Sequence, residues 1–378
     1  MSRKFLTVSL GSFTSQAVAL LLVLTCAQAA RAQERSLSEE KRAHISEAVS
    51  HFMAANSVPG IGAAVVLDGV PAWSAGYGMA DLENFVPATA ATLFRLGSIS
   101  KPITATAVLQ LAERGKLDLD APVQKYCPAF PEKEWPITTR ELLGHLGGIR
   151  HYNQDGKGDI PEDSAKHFPS MEESLKIFAS DPLVAKPGTK FRYSTYGYTV
   201  IGCVLEGAAA QKFTDYVREN VFLPAGMEHT QADNFFEVIP HRTRWYHKDG
   251  TGAVRNAGVL DSSYKIPGGG LISSADDMAH FEAAILGDKL LLRATRDMMW
   301  TPQKAADGTQ NGYALGWGTG AQSGPKIVAH TGSQQGTSTS FILVPERNAG
   351  VVVLANLDGV DAAALASEIL KIVLDPKP

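Results

Sequence analysis

Along the first part of the chain, apolar residues recur at Ile45, Val49, Phe52 and Met53, the three-and-four spacing of one helix face. The pattern predicts an amphipathic helix over 38–56, with Ser36 and Glu39 as a capping box ahead of it. The period then shortens. Residues 62–67 and 71–78 are β-branched or aromatic stretches on either side of Asp68-Gly69, a hairpin signal. From Ile99 to about Asp277 helical segments take over, such as 103–114 closed by Gly115, separated by loops rich in Gly, Pro, Asp and Tyr. Strand character returns at 326–330, 338–344 and 350–356, before a last amphipathic helix over 361–374. Strands at both ends with helices between them predict one sheet assembled from distant segments. No repeat, low-complexity tract or linker divides the chain, and the polar stretch 151–170 reads as a mobile loop.

Composition adds a compartment. The first 33 residues carry no acidic side chain, begin with Arg3 and Lys4, and contain an apolar run over 17–26 followed by Ala30-Arg31-Ala32. Such a segment reads as a secretory signal peptide over 1–32, too short in its apolar run for a membrane span. Its removal takes three basic residues and no acids, leaving 32 basic against 39 acidic side chains. That surface does not invite nucleic acid. Of three cysteines, Cys127 and Cys203 then remain, as one disulfide or as two buried thiols.

Three segments carry candidate chemistry. In Ser98-Ile99-Ser100-Lys101 a hydroxyl and an amine stand at i and i+3, on one helix face, where a desolvated lysine can take the serine proton. Gly97 permits a sharp entry, and the Ser98 N–H would point at developing negative charge. The same spacing occurs at Ser38–Lys41, Ser262–Lys265 and Ser323–Lys326, but only Ser98 opens an apolar helix after a strand region. Tyr193, in Tyr193-Ser194-Thr195, offers a phenol that can shuttle protons just before an apolar helix over 198–208. His330-Thr331-Gly332-Ser333 ends a strand in a titratable ring and a small-residue turn, with the Ser333 N–H as a second oxyanion donor. His145 and His151 suggest a metal pair, but no H-E-x-x-H helix or third ligand accompanies them.

Taken together, these segments resemble the serine β-lactamase and penicillin-binding superfamily, whose signature is Ser-x-x-Lys, then a Tyr- or Ser-led triplet, then Lys-Thr-Gly. The likeness runs over nearly the whole mature chain and is nearest to the β-lactamase-like serine proteases of the class C branch, the group that includes the mitochondrial β-lactamase-like protein. It includes residues 142–152, 187–202, 261–270 and 298–302. The resemblance implies an α/β (α+β) fold in a single unit over 33–378. An antiparallel sheet from about 33–97 and 310–378 would flank a mainly helical part, about 98–309, with the site in the groove between. It casts Ser98, Lys101 and Tyr193 as catalytic, and Thr195, His330, Thr331 and Gly332 as substrate-binding. Ser98 and Ser333 would form the oxyanion hole. No metal or cofactor is implied.

Two positions depart from the pattern. Thr195 stands where Asn is common in enzymes that grip a β-lactam side chain, and a hydroxyl lacks the amide's paired donor and acceptor. His330 replaces a permanent charge by a ring with an ordinary pKa of ~6.5. Both point to peptide or amide hydrolysis through an acyl-enzyme, by a secreted or periplasmic protein. The alternatives are a β-lactamase, D,D-carboxypeptidase or carboxylesterase on the same residues, or a scaffold that binds without turnover.

Overall fold

The computed structural model describes residues 37–152, 164–320 and 325–375. The leader over 1–32, Ser36 and Ser323 therefore lie outside the described residues, as does much of the stretch read as a mobile loop. Helix α1 (Glu39–Asn56) is capped by Ser38, whose Oγ accepts the Lys41 N–H at 3.3 Å. The Ser38–Lys41 spacing is thus a helix cap. The chain continues through β1 (Gly60–Leu67), β2 (Val70–Asp81) and β3 (Val86–Pro87) to α2 (Ser100–Glu113), α3 (Thr195–Ala209) and α4 (Ala275–Leu286). It returns to the sheet in β4 (Gly318–Gly320), β5 (Ile327–Gln334), β6 (Thr337–Val344) and β7 (Ala349–Ala355), and ends in α5 (Ala362–Leu374).

The seven strands lie in the order β3-β2-β1-β7-β6-β5-β4, all antiparallel neighbours. The two chain ends meet at the centre, where Ile61 pairs with Ala355 and Val65 with Val351. Asp68 and Gly69, both at positive φ, make the tight turn between β1 and β2. Both faces of the sheet are covered, so its central strands read as continuous apolar runs rather than alternating ones. Ile61, Ala63 and Val65 with Val351 and Val353 pack under α1 and α5. Ala64, Val66, Val352 and Leu354 belong to the larger core shared with α2, α3 and α4.

The middle is less purely helical than its sequence suggests. Phe94–Arg95, Leu271–Ser273 and Gln231–Ala232 form a small three-stranded sheet, and Tyr246–Lys248 pairs with Val254–Asn256. These strands are two or three residues long, too short to show a period of two. Cys127 and Cys203 are joined as a disulfide that ties the 127 region to α3 across 76 residues of sequence.

Candidate active site

Five residues before α2, the chain is pinned on both sides. Arg95, fully buried, donates to Asp233 at 2.7 Å and to the Leu260 carbonyl at 2.9 Å. Thr337 and Thr339 of β6 donate to the Arg95 and Leu96 carbonyls at 3.1 and 2.9 Å. Gly97 follows at φ +52, and residues Gly97–Ile99 make one 3-10 turn that leads into α2. Ser98 therefore sits on the turn ahead of the helix, not in its first α-helical turn. A Cβ on Gly97 would stand 3.0 Å from the Ser333 N, and one on Gly332 would meet the Leu96 carbonyl oxygen at 2.0 Å. These two glycines let the serine turn and β5 touch backbone to backbone.

Strand β5 runs through Thr331, Gly332 and Ser333 to Gln334, so the small-residue turn expected after His330 is strand, and the reversal comes at Gln335-Gly336. Gly332 is weak in β-propensity and hides the strand in the sequence, yet packing against Leu96 requires it. Strand β4 covers β5 only as far as Ala329. Beyond that point the edge of β5 faces the serine turn, with the Ser333 N–H beside Gly97.

Ser98, Lys101 and Tyr193 converge. The Tyr193 hydroxyl donates to Ser98 Oγ at 2.8 Å, and Lys101 Nζ lies 3.0 Å from the same oxygen. Nζ has two further partners, the Gly268 carbonyl at 2.6 Å and Thr195 Oγ1 at 3.2 Å. Lys101 is wholly buried, and this burial, with a smaller push from Lys265, holds its amine well below the ordinary lysine range. A neutral amine has two N–H groups and one lone pair. In its neutral form Lys101 can give its two N–H groups to the Gly268 carbonyl and Thr195 Oγ1 and keep the lone pair for the Ser98 hydroxyl proton. Burial pushes the Tyr193 phenol up to about 12, so near neutral pH it is a donor and not a phenolate base. Ser262, the other buried serine of a Ser-x-x-Lys spacing, has an Oγ without a hydrogen-bond partner among the described residues.

Thr195 is 4% exposed and its hydroxyl is turned to Lys101, so it holds the amine in place instead of presenting itself to the groove. His330 requires a correction. It is buried, its Nδ1 lies 2.7 Å from the Thr331 carbonyl and its Nε2 lies 2.8 Å from the Tyr313 hydroxyl. A carbonyl only accepts, so Nδ1 carries the proton and Nε2 accepts from Tyr313. Burial lowers its pKa to about 3. His330 is a neutral ring at pH 7, and the partial charge expected from its ordinary pKa is absent.

Sequence reasoning passed over several residues that this site uses. Gly268 contributes only a carbonyl, which no residue type signals. Tyr313 and Tyr198 come from distant segments and stack around His145, with ring centroids 4.7 and 5.4 Å from it. His145 and His151 do not form a metal pair with each other: Nδ1 of each accepts a backbone N–H, from Ser194 at 3.1 Å and Thr195 at 3.2 Å.

Residues 45–374 match the sequence family described as Beta-lactamase. The chain belongs to that family. Among its relatives is the human mitochondrial serine beta-lactamase-like protein LACTB, 32% identical over 76% of this chain and 69% of the relative. Protein flp of Staphylococcus aureus (strain N315) is 26% identical, over 85% of this chain and 64% of its own length. Among solved structures, the octameric penicillin-binding protein homologue from Pyrococcus abyssi superimposes with a TM-score of 0.76 and 27% identity, covering 88% of this chain and 77% of that one. A D-stereospecific amidohydrolase from Streptomyces shares the fold at a TM-score of 0.73 and 23% identity, covering 88% and 98%. The β-lactamase-like, penicillin-binding-protein-like fold and membership of the serine hydrolase superfamily follow. No helix among the described residues is long and apolar enough to cross a membrane.

Proposed function

We propose that the protein is an exported serine hydrolase that cleaves peptide or amide bonds through an acyl-enzyme on Ser98. The observation that carries this reading is the meeting of three groups at one oxygen: Ser98 Oγ lies 3.0 Å from the buried Lys101 amine and 2.8 Å from the Tyr193 hydroxyl. Lys101 takes the Ser98 proton as Oγ attacks the substrate carbonyl. The oxyanion that forms is met by the N–H groups of Ser98 and Ser333, an interaction worth about 3–4 kcal/mol per donor in sites of this kind. Tyr193 then gives its hydroxyl proton to the leaving amine as the C–N bond breaks and takes the proton held by Lys101, and water repeats the cycle in reverse to release the acid.

Two observations support peptides and amides over anionic β-lactams. His330 is neutral, so β5 offers no fixed cation to a substrate carboxylate. Thr195 is buried, with its hydroxyl oxygen accepting from Lys101. Export is supported by the Cys127–Cys203 disulfide, which suits an oxidising compartment, and by the leader-like sequence of 1–32.

The test is labelling with a fluorophosphonate and with a fluorescent penicillin, read by intact mass. The phosphonate should add once, at Ser98, and Ser98→Ala should abolish labelling while leaving the melting temperature intact. Acylation rates on a panel of amides, esters and β-lactams then rank substrate classes. Modification at Ser262, or penicillin turnover faster than that of every amide, would overturn the reading.

A further inference from the structure

The segment 142–152 runs alongside the segment that presents Tyr193 and is bonded to it repeatedly. The Tyr198 hydroxyl donates to the Leu143 carbonyl at 3.0 Å, the Arg192 N–H to the His145 carbonyl at 2.8 Å, and the Gly188 N–H to the Leu146 carbonyl at 2.9 Å. The Ser194 hydroxyl donates to the Arg150 carbonyl at 2.7 Å. Two side-chain contacts complete the strap, the Ser194 and Thr195 N–H groups on Nδ1 of His145 and His151.

His145 brackets Tyr193. Its carbonyl takes the N–H of the residue before and its ring nitrogen the N–H of the residue after. The imidazole lies against the phenol ring between these bonds, with centroids 4.2 Å apart, and His151 meets the same phenol edge-on at 5.5 Å. His145 achieves this with a backbone φ of +57, a conformation that non-glycine residues adopt rarely. It is 2% exposed, and Nε2 has no hydrogen-bond partner among the described residues. A structural histidine in a core ordinarily satisfies both nitrogens. This one gives up a hydrogen bond and a relaxed backbone, and what it secures is the place of one phenol.

We propose that His145, seconded by His151, is a positioning residue that clamps Tyr193 so that its hydroxyl stays on Ser98 Oγ. The role needs an acceptor and a flat ring in one side chain. Asparagine supplies only the first and phenylalanine only the second. It also needs the neutral imidazole, since a proton on Nδ1 would face the Ser194 N–H donor. Burial holds His145 well below the ordinary histidine range. The clamp acts on kcat, because a phenol displaced by an ångström no longer passes a proton in line while the groove still binds substrate.

The inference rests on the reading that Tyr193 hands the proton to the leaving group, and the experiment separates the two. His145→Phe, His145→Asn and His151→Asn are made alone and with Tyr193→Phe. kcat and KM are measured on a p-nitroanilide and a p-nitrophenyl ester of one acyl group that the wild type turns over. For His145→Phe, kcat on the anilide should fall about 10- to 100-fold with KM held within about 3-fold. The ester, whose phenolate leaves without a proton, should fall less. In the Tyr193→Phe background, His145→Phe should cost nothing more, the sign that it acts through Tyr193. His145→Asn, which keeps an acceptor and tolerates positive φ, should restore part of the loss. Should His145→Phe not fold, the Asn variants carry the same cycle. Additive losses, or equal losses on anilide and ester, would overturn the clamp. A Tyr193→Phe enzyme as fast as wild type would overturn the clamp and the catalytic reading together.

Discussion

At residue 330, exchanging the lysine of the Lys-Thr-Gly pattern for histidine replaces a mobile ammonium by a ring with both nitrogens engaged, on the Thr331 carbonyl and the Tyr313 hydroxyl. With its pKa at about 3, His330 stays neutral throughout the working range. The ratio of kcat/KM for matched anionic and neutral substrates should therefore be flat between roughly pH 5.5 and 8. A ratio that rises toward pH 5.5 would show that the ring does titrate. The sign for stability is also set. A histidine whose folded pKa is depressed binds its proton more readily when unfolded, so its contribution is full above about pH 6.5 and is lost as pH falls toward 3. The sequence disclosed that this position departs from the pattern. It did not disclose that the side chain is buried beside Tyr313, seventeen residues upstream, and that burial removes the partial charge of an ordinary histidine.

Among the elements, the contact between β5 and the serine turn is the one that sets the site, and it depends on an absent Cβ. On Gly332 a methyl group would meet the Leu96 carbonyl oxygen at 2.0 Å and Thr339 Oγ1 at 2.2 Å. Gly332→Ala must push β5 off the turn, at about 1–3 kcal/mol of stability, and carry the Ser333 N–H away from the oxyanion. The expected result is a folded protein with a lowered Tm and acylation slower by about 100-fold, the loss of one oxyanion donor. An alanine variant that acylates at the wild-type rate would remove Ser333 from the proposed hole. Local spacing made Ser98, Lys101 and Tyr193 legible, because a hydroxyl and an amine at i and i+3 need only one turn of chain to meet. The strap over 142–152 was not legible in this sense. Its histidines, without a third ligand for a metal, carried no role in the sequence, whereas each accepts an N–H group from a residue more than forty positions away.

For the molecule as a whole, the sheet from both ends was visible in β-branched and aromatic runs between turn signals, the short strands of the middle were not, and the bridge between Cys127 and Cys203 was one of two open readings. The disulfide closes a loop spanning 76 residues, for which loop-closure entropy gives about 4 kcal/mol. Cys127→Ser/Cys203→Ser, or reduction of the native protein, should lower Tm by several degrees while the folded fraction acylates within about 2-fold of the native rate. An unchanged Tm would show that the bridge restrains nothing. The central pairing of β1 with β7 has a consequence in time. Residues 60–67 emerge early from synthesis, but their partner strand is 349–355, so the first hairpin waits for almost the whole chain before its inner edge is closed. During that interval an apolar strand edge stands open, a template for pairing with another chain. Interrupting the chain before Ala349 would leave β1 without its partner and convert the centre of the sheet into a free edge. The last strands are thus the step that commits this chain to its own sheet instead of to pairing with another.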